Sequence, residues 1–575
     1  MRSIIAAALV GGVIVGGSAS PGLGFDTFLG PVFEASPNSS SLTSSLEDSL
    51  SSALSAECRK DVNGSLMVSI RAASIFKDAP VFEYYHSTDR AQKTVNADTV
   101  FRIGSISKLF TTYTLLVSRG LAIFSRPIQD FVPELKTDSA DLHPESRVNW
   151  SEVTVGALAS HLAGISRDYN LGDLADLSLP QSQTGFPNLS RSDLPICINT
   201  NAGDSSTCDR SEFLAGLKKR NAVFETFQTP AYSNNAFRIL GYVVEQVTQM
   251  KYATALQKVV LDPLGLKLTF ASTPSSSLGA IPENSTETGW YEDLGDEVAA
   301  GGLFSSSSDL CSFGKAILTS KQIPRAVTRR WMKPSSHTSS LFLSIGMPWE
   351  IYRANIFGRI VDLYSKSGSV GAYNSWLVLV PDYGIVISVL VASAETAGAL
   401  PGRLTDLVTF KVLREVAARE ESQRFTGRYV SNSTTGQEPD SAVELQVNAE
   451  EPGLKIRSWI SNGVDFLETA DAYARSTDSG ALQSVHLYPS ICKTVDECLT
   501  YRAVFKTARE PASPLSIAEV GGVPQLFDQA TGAWIAVDQL TYGKQPLDEF
   551  VFETDSEGRV IGVSNPGLRV KMARV

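Results

Sequence analysis

The stretch Phe101–Leu116, FRIGSISKLFTTYTLL, places a serine and a lysine three residues apart at the start of a predicted helix. Residues three apart on a helix lie on one face, so the amine of Lys108 can reach the hydroxyl of Ser105. Gly104 has no Cβ and lets a reacting group approach the serine. The helix N-terminus favours negative charge there. The stretch therefore predicts a serine that a nearby lysine can activate.

The same Ser-x-x-Lys spacing occurs twice more in the chain. Ser74 lies in a predicted strand, where residues three apart point to opposite faces, so Lys77 is out of its reach. Ser312 and Lys315 share the predicted helix 308–319, but they come late in the order of motifs. Spacing alone does not single out Ser105, so the rest of the chain must decide.

Two further polar motifs follow Ser105. Tyr232–Ser233–Asn234, within TPAYSNNAF, lies between a proline turn and the predicted helix 235–249. Lys366–Ser367–Gly368, within LYSKSGSVGAYNSWLVLVP, lies on a predicted strand. Each motif is common alone. The order Ser-x-x-Lys, Tyr-x-Asn, Lys-Ser-Gly, each in a fitting local structure, is a strong signal of a nucleophilic serine site.

These motifs resemble those of the class C β-lactamase and penicillin-binding-protein family of serine hydrolases, including its esterase and transesterase members. The segments VTVGALASHLAGISRD and AAGGLFSSSSDLCSFGKAIL are also similar to that family, over residues 60–420. The family's His-Thr-Ser-Gly reads His161-Leu162-Ala163-Gly164 here. Lys366 stands where many esterase-like relatives carry histidine, which favours the lactamase and peptidase branch.

The resemblance implies an α/β (α+β) fold, with an antiparallel sheet flanked by helices and a helical subdomain. It implies an acyl-enzyme on Ser105 that cleaves an ester, amide or β-lactam bond in a small molecule or peptide, without a metal or other cofactor. The alternatives are an acyltransferase with the same site and a non-catalytic ligand-binding protein of the same fold. The implied catalytic residues are Ser105, Lys108, Tyr232, Asn234 and Lys366, and the implied oxyanion and substrate contacts are Ser367, Gly368 and Ser369.

A serine hydroxyl attacks only after a neighbouring base takes its proton. Lys108 can be that base if burial and the charge of Lys366 lower its pKa. Tyr232 can be the base if the two lysines stabilise its phenolate, and the choice stays open.

The resemblance gives Asn234 the role of holding Lys108 and the substrate amide, and makes the N–H groups of Ser105 and Ser369 the oxyanion hole. His161 is expected to be structural. The polar segment 167–227 is expected to wall the pocket, with a passive insertion as the alternative.

The 575 residues predict more than one domain. We expect a signal peptide at 1–19, a helical segment at 20–59, the hydrolase domain at 60–421 and a β-rich sandwich or barrel at 425–575, which resembles an appended lipocalin-like domain. Within 20–59, Leu42, Leu46, Leu50 and Leu54 recur every fourth position and predict an amphipathic helix; a serine-rich stalk is the alternative.

The N-terminus predicts secretion: Arg2, a short apolar run and small residues precede a cut expected after Ala19, with an uncleaved anchor as the alternative. Six cysteines are predicted to pair as Cys197–Cys208, Cys492–Cys498 and Cys58–Cys311, or to stay reduced. Possible glycosylation sites are Asn38, Asn63, Asn149, Asn188, Asn284 and Asn432.

Several other functions are excluded. A net charge of −11 without a basic stretch argues against nucleic-acid binding. The five histidines do not occur at metal-ligand spacing, and the chain has no Gly-x-Ser-x-Gly, P-loop or dinucleotide motif. No later apolar run is long enough to span a membrane.

Overall fold

A computed structural model of the chain describes residues 42–60, 64–89, 91, 93–136, 147–169, 185–187, 189–190, 194, 208–282, 288–356, 359–394, 398–418, 422–431, 440–448, 451–476, 480–492, 498–508, 519–520, 523–524, 537–538, 540–556 and 559–575. The predicted signal peptide and five of the six predicted glycosylation sites lie outside these residues. Asn149, the sixth, is exposed.

The first part of the described chain is built on an eight-stranded antiparallel sheet with the strand order β2-β1-β10-β9-β8-β7-β6-β5. A 3₁₀ turn at Pro381–Tyr383 joins β9 to β10, whose register pairs Val380 with Ile385. β3 and β4 form a separate two-stranded ladder. The strands are β1 Leu66–Ser74, β2 Pro80–Ser87, β3 Val100–Arg102, β4 Phe304–Ser306, β5 Ser336–His337, β6 Leu343–Ile345, β7 Glu350–Ile356, β8 Arg359–Val370, β9 Tyr373–Val380 and β10 Ile385–Ser393.

Helices cover both faces of this sheet, and all nine residues of β10 are buried, as expected for a strand with two covered faces. One face packs against the helices Ser44–Lys60 and Leu400–Ala418, and the other packs against a larger helical layer. Three of the four predicted stripe leucines lie in the first of these helices, where Leu50 and Leu54 are fully buried; Leu42 precedes it and is also buried. The other α-helices are Ser107–Arg119, Val155–Ala159, Arg210–Lys218, Asn234–Thr248, Tyr252–Leu256, Asp262–Leu264, Val298–Gly301, Ser307–Leu318, Arg325–Trp331, Ser422–Phe425 and Phe466–Ser476.

Short helical turns connect these elements. Gln257–Leu261 is a π-helical turn, and the 3₁₀ turns are Gly104–Ile106, Leu121–Ser125, Ile128–Asp130, Pro133–Leu135, Ser276–Leu278, Gly295–Glu297 and Pro381–Tyr383.

The C-terminal part is a closed barrel with its own core. Eight strands pair in the order β12-β11-β23-β22-β21-β16-β15-β13, and pairing of β12 with β13 closes the ring. This closure decides between the barrel and the sandwich. Aromatic side chains fill the interior, with Trp459 and Phe550 5.0 Å apart between ring centroids. The strands are β11 Gly427–Val430, β12 Ala442–Asn448, β13 Glu451–Ser461, β14 Val464–Asp465, β15 Ala481–Cys492, β16 Cys498–Ala508, β17 Glu519–Val520, β18 Val523–Pro524, β19 Thr541–Tyr542, β20 Gln545–Pro546, β21 Glu549–Thr554, β22 Val560–Asn565 and β23 Val570–Arg574.

The predicted Cys58–Cys311 disulfide is wrong. Both thiols are free and buried, and they belong to the hydrophobic clusters on opposite faces of the sheet. The sheet therefore separates them. The pairs Cys197–Cys208 and Cys492–Cys498 involve side chains outside the described residues and stay predictions.

Among the helices that the structure describes, none combines the length and the apolar character that a bilayer crossing needs.

Candidate active site

The turn before the Ser107–Arg119 helix brings Ser105 against strand β8. Gly104 has a φ of +47°, and a Cβ there would lie 2.6 Å from the backbone nitrogen of Ser369. A Cβ on Gly368 would in turn lie 2.8 Å from the nitrogen of Ser105. Only glycine fits at either position. The Gly104–Ser105 backbone and the Lys-Ser-Gly strand are therefore in direct contact.

Two polar side chains contact the hydroxyl of Ser105. Lys108 Nζ donates a hydrogen bond of 3.0 Å to Ser105 Oγ. The Tyr232 hydroxyl donates one of 2.6 Å to the same oxygen. Ser105 and Tyr232 are partly exposed, whereas Lys108 is fully buried. The two hydroxyl-bearing residues are thus partly accessible, while the lysine is sheltered from water.

Lys108 is held by two further acceptors. Its Nζ donates to Asn234 Oδ1 at 2.7 Å and to the carbonyl oxygen of Ala300 at 2.7 Å. Burial lowers the pKa of Lys108, and the nearby Lys366 lowers it further, although Tyr232 opposes both. This environment moves the amine toward the neutral form that can accept a proton.

Tyr232 lies between two cations. Its ring centroid is 4.9 Å from Lys108 Nζ and 5.2 Å from Lys366 Nζ. Burial alone would raise the pKa of Tyr232, but the two ammonium groups outweigh it, and the pKa is lowered. The phenolate is therefore stabilised at this position.

Lys366 is kept charged by a carboxylate. Its buried ammonium donates hydrogen bonds to Glu350, at the start of β7, and to the carbonyl oxygen of Ser367 at 2.9 Å. Burial opposes the charge, but Glu350 outweighs it, and the pKa of Lys366 is raised.

The register of β8 leaves the amide of Ser369 facing the site. β7 begins at Glu350, which lies opposite Ser365 of β8. Beyond that point Glu350 Oε2 accepts the N–H of Ser367 at 2.9 Å. Backbone N–H groups two residues apart in a strand point the same way, so the N–H of Ser369 lies on the same side of β8, beyond the first residue of β7. Together with the N–H of Ser105 it is available to a substrate oxygen.

The predicted site residues are thus gathered around Ser105, whereas the two rival serines are not. Ser312 is exposed and its hydroxyl donates to the carbonyl of Ser308, while Lys315 bonds the carbonyl of Lys77. Ser74 lies at the end of a buried strand, and its Oγ accepts the N–H of Phe76 at 3.3 Å.

Three other residues complete the site, and sequence reasoning gave none of them a role in it. Glu350 has no motif around it. Asp168 accepts a hydrogen bond from Asn234 Nδ2 at 2.8 Å. It lies in the sequence Ser166-Arg167-Asp168, which belongs to a segment similar to the family but carries no catalytic motif. His161 stacks on Tyr232 with centroids 4.5 Å apart, and its Nδ1 accepts the N–H of Ser233. Burial holds the pKa of His161 well below its ordinary value, so it supports Tyr232 as a neutral ring.

The predicted pocket wall lies mostly outside the described residues. Its last part, near Val223 and Phe227, donates backbone hydrogen bonds to Gly164 and Leu162. The segment 223–227 therefore holds the loop 161–164, which contains the His161 that stacks on Tyr232.

A hydroxyl, two amines and a phenol around one strand edge are typical of the sites of serine hydrolases with the β-lactamase fold. The family model described as Beta-lactamase matches residues 72–408, more than half of the chain, and the model described as Beta-lactamase-like-like, C-terminal domain, matches residues 417–575. The chain therefore belongs to the β-lactamase family.

Two relatives match the chain over both its N-terminal and its C-terminal part. A Beta-lactamase-like protein from Arthroderma benhamiae is 29% identical over 526 residues, covering 85% of this chain and 84% of that protein. Probable hydrolase M10 from a Phoma species is 26% identical and covers 86% and 82%. Among solved structures, D-amino acid amidase from Ochrobactrum anthropi SV3 is 18% identical, with a TM-score of 0.47 over 65% of this chain and 99% of that chain.

Proposed function

We propose that the protein is a secreted serine hydrolase that forms an acyl-enzyme on Ser105 and cleaves an ester, amide or β-lactam bond. One observation carries this proposal: Ser105 Oγ accepts hydrogen bonds from both Lys108 and Tyr232, and both of those groups have lowered pKa values. Each of these groups therefore becomes available to take the serine proton at a lower pH than a free lysine or tyrosine would.

The contacts of Ser105 with Lys108 and Tyr232 support the following acylation step. The proton of Ser105 passes to the Lys108–Tyr232 pair as Oγ attacks the substrate carbonyl carbon. We treat the two groups as one unit, because strongly coupled groups titrate together. The N–H groups of Ser105 and Ser369 bind the oxyanion, and removing one such donor typically costs about a hundredfold in rate. Tyr232 then returns the proton to the leaving oxygen or nitrogen as its bond to the acyl carbon breaks.

Water completes the cycle. The same pair takes a proton from a water molecule as its oxygen attacks the acyl carbon. The bond between that carbon and Ser105 Oγ then breaks, the pair returns the proton to Oγ, and the acid is released. The charged Lys366, paired with Glu350, stays protonated throughout and stabilises the Tyr232 phenolate.

The proposal of secretion rests on the N-terminal sequence 1–19. The exposed Asn149 is compatible with it, because a glycosylation acceptor has to be accessible.

Intact-mass analysis after exposure to a panel of activated esters, amides and β-lactams tests the catalytic proposal. Wild type should gain the mass of the acyl group, Ser105→Ala should gain nothing, and Ser312→Ala, the matched control at another Ser-x-x-Lys, should behave as wild type. Equal labelling of Ser105→Ala, or failure of wild type to react with the whole panel, contradicts the proposal. A new ester formed when an alcohol is added would identify an acyltransferase instead.

A further inference from the structure

Asp168 lies directly behind the residue that holds Lys108. Its Oδ1 accepts a 2.8 Å hydrogen bond from Asn234 Nδ2, and Asn234 Oδ1 accepts one of 2.7 Å from Lys108. Asp168 is thus connected to Lys108, which contacts Ser105, through the side-chain amide of Asn234. The side chain of Asp168 is 19% exposed, so this contact is largely shielded from water.

The chemistry of the two neighbours fixes the orientation of the Asn234 amide. A carboxylate can only accept hydrogen bonds, and an ammonium can only donate them. With Asp168 on one side and Lys108 on the other, the amide has to present its NH₂ group to Asp168 and its oxygen to Lys108. If the amide turned over, its oxygen would face the Asp168 carboxylate and its NH₂ group would face the Lys108 ammonium, so neither hydrogen bond could form.

The second oxygen of Asp168 holds a group that covers Tyr232. Asp168 Oδ2 lies 3.2 Å from Nε of Arg167, and the guanidinium carbon of Arg167 lies 5.3 Å from the ring centroid of Tyr232. The backbone carbonyl of Arg167 also accepts the N–H of Asn234 at 2.8 Å. The Asp168 carboxylate therefore contacts both Asn234, which holds Lys108, and Arg167, which covers Tyr232.

We propose that Asp168 is a positioning residue for acyl transfer: it fixes the Asn234 amide with its oxygen toward Lys108 and thereby sets the position and the proton affinity of the Lys108–Tyr232 pair. This inference rests on the proposed function and extends it. Asp168 does not touch Ser105 and need not touch the substrate.

The electrostatic setting gives the sign of the effect. The charged groups around the Lys108–Tyr232 pair are Lys366 on β8, Arg167 and Asp168 on the 161–169 loop, and Glu297 in the turn before the Val298–Gly301 helix. Burial raises the pKa of Glu297 to about 7, against the opposing charge of Arg238, and the charge of Asp168 adds to the rise. A negative charge at Asp168, which is connected to Lys108 through the Asn234 amide, favours the protonated form of the Lys108–Tyr232 pair in the same way.

The substitution Asp168→Asn tests the proposal, because it keeps the shape but can donate as well as accept. The Asn234 amide is then free to turn its NH₂ group toward Lys108. We expect kcat for an activated ester to fall about tenfold to a hundredfold, as small misplacements of reacting groups do, with KM unchanged. We also expect the acid limb of the kcat profile to move to lower pH, since both the lost charge and the turned amide disfavour the protonated pair.

Two further variants separate positioning from simple folding effects. Asp130→Asn, at an exposed ion pair with Arg126, should leave kcat, pH profile and melting temperature unchanged. Asp168→Glu keeps an acceptor-only carboxylate and should keep the acid limb where wild type has it, which preserves the test if Asp168→Asn does not fold.

The outcomes distinguish this inference from the proposed function. If wild type is acylated on Ser105 but Asp168→Asn keeps the wild-type kcat and acid limb, or Asp168→Glu shifts the limb as Asp168→Asn should, the positioning role is refuted and the hydrolase proposal stands. If wild type is not acylated on Ser105, the proposed function itself fails.

Discussion

Replacing Glu350 by glutamine tests the electrostatics on which the site depends. Glu350 accepts hydrogen bonds from the Lys366 ammonium and, at 2.9 Å, from the N–H of Ser367. The Lys366 side chain is 1% exposed and that of Glu350 19%, so Glu350→Gln leaves a buried cation without its counter-charge. Removing one partner of a buried pair costs about 3–5 kcal/mol, and because Glu350 keeps some contact with water we expect about 3 kcal/mol at pH 7.

The loss should depend on pH in one direction. Burial opposes the charge of Lys366, but Glu350 outweighs it, so the pKa in the folded protein is raised above that of the unfolded chain. Such a group contributes stability that is fully present below the unfolded pKa, about 10.4, and that is lost as pH rises through the folded pKa. The difference between wild type and Glu350→Gln should therefore be largest near neutral pH and shrink in alkaline solution.

Urea unfolding, followed by the fluorescence of tryptophans such as the buried Trp349 beside Glu350, measures this difference. Glu134→Gln is the matched control, because Glu134 pairs with Arg210 at 3.0 Å but the two side chains are 47% and 35% exposed. Exposed pairs contribute about 0–1 kcal/mol. If Glu350→Gln costs no more than Glu134→Gln, the buried pair does not stabilise the site and the reasoning is refuted.

Three other results are expected. Tyr232→Phe removes a hydroxyl 2.6 Å from the nucleophile and should lower kcat about 10²- to 10⁴-fold, as loss of a general acid–base group does; a loss below tenfold would remove the tyrosine from the mechanism. The acid limb of the pH profile of kcat/KM should lie below pH 10. The pKa values of Lys108 and Tyr232 are both lowered, so the proton-accepting form appears at lower pH than for a free lysine or tyrosine. A pH–rate profile with its acid limb at or above pH 10 would contradict this. Gly104→Ala should lower the melting temperature and the activity more than Gly120→Ala, since both glycines have positive φ but only the first would place a Cβ 2.6 Å from the nitrogen of Ser369; equal effects would show that the close approach of the two backbones is unimportant.

The sequence determined those parts of the molecule that depend on local periodicity and motif order. Ser105 and Lys108 meet because residues three apart share a helix face. The helix Ser44–Lys60 follows from leucines that recur every fourth position, because these form one apolar face. The order of three short motifs was enough to indicate the family and to nominate the residues that the structure gathers around Ser105.

The tertiary structure decided the partners and the proton affinities. Glu350 meets Lys366 because of the register of β7 against β8, and Asp168 meets Asn234 because a loop folds back on a helix 66 residues later in the chain; neither contact leaves a local pattern. The even number of cysteines led to the prediction of a Cys58–Cys311 disulfide. The number of cysteines does not show on which face of the sheet each thiol lies. The lowered pKa values of Lys108 and Tyr232 likewise arise from burial and from charges brought close by packing, and these exist only once the chain has folded.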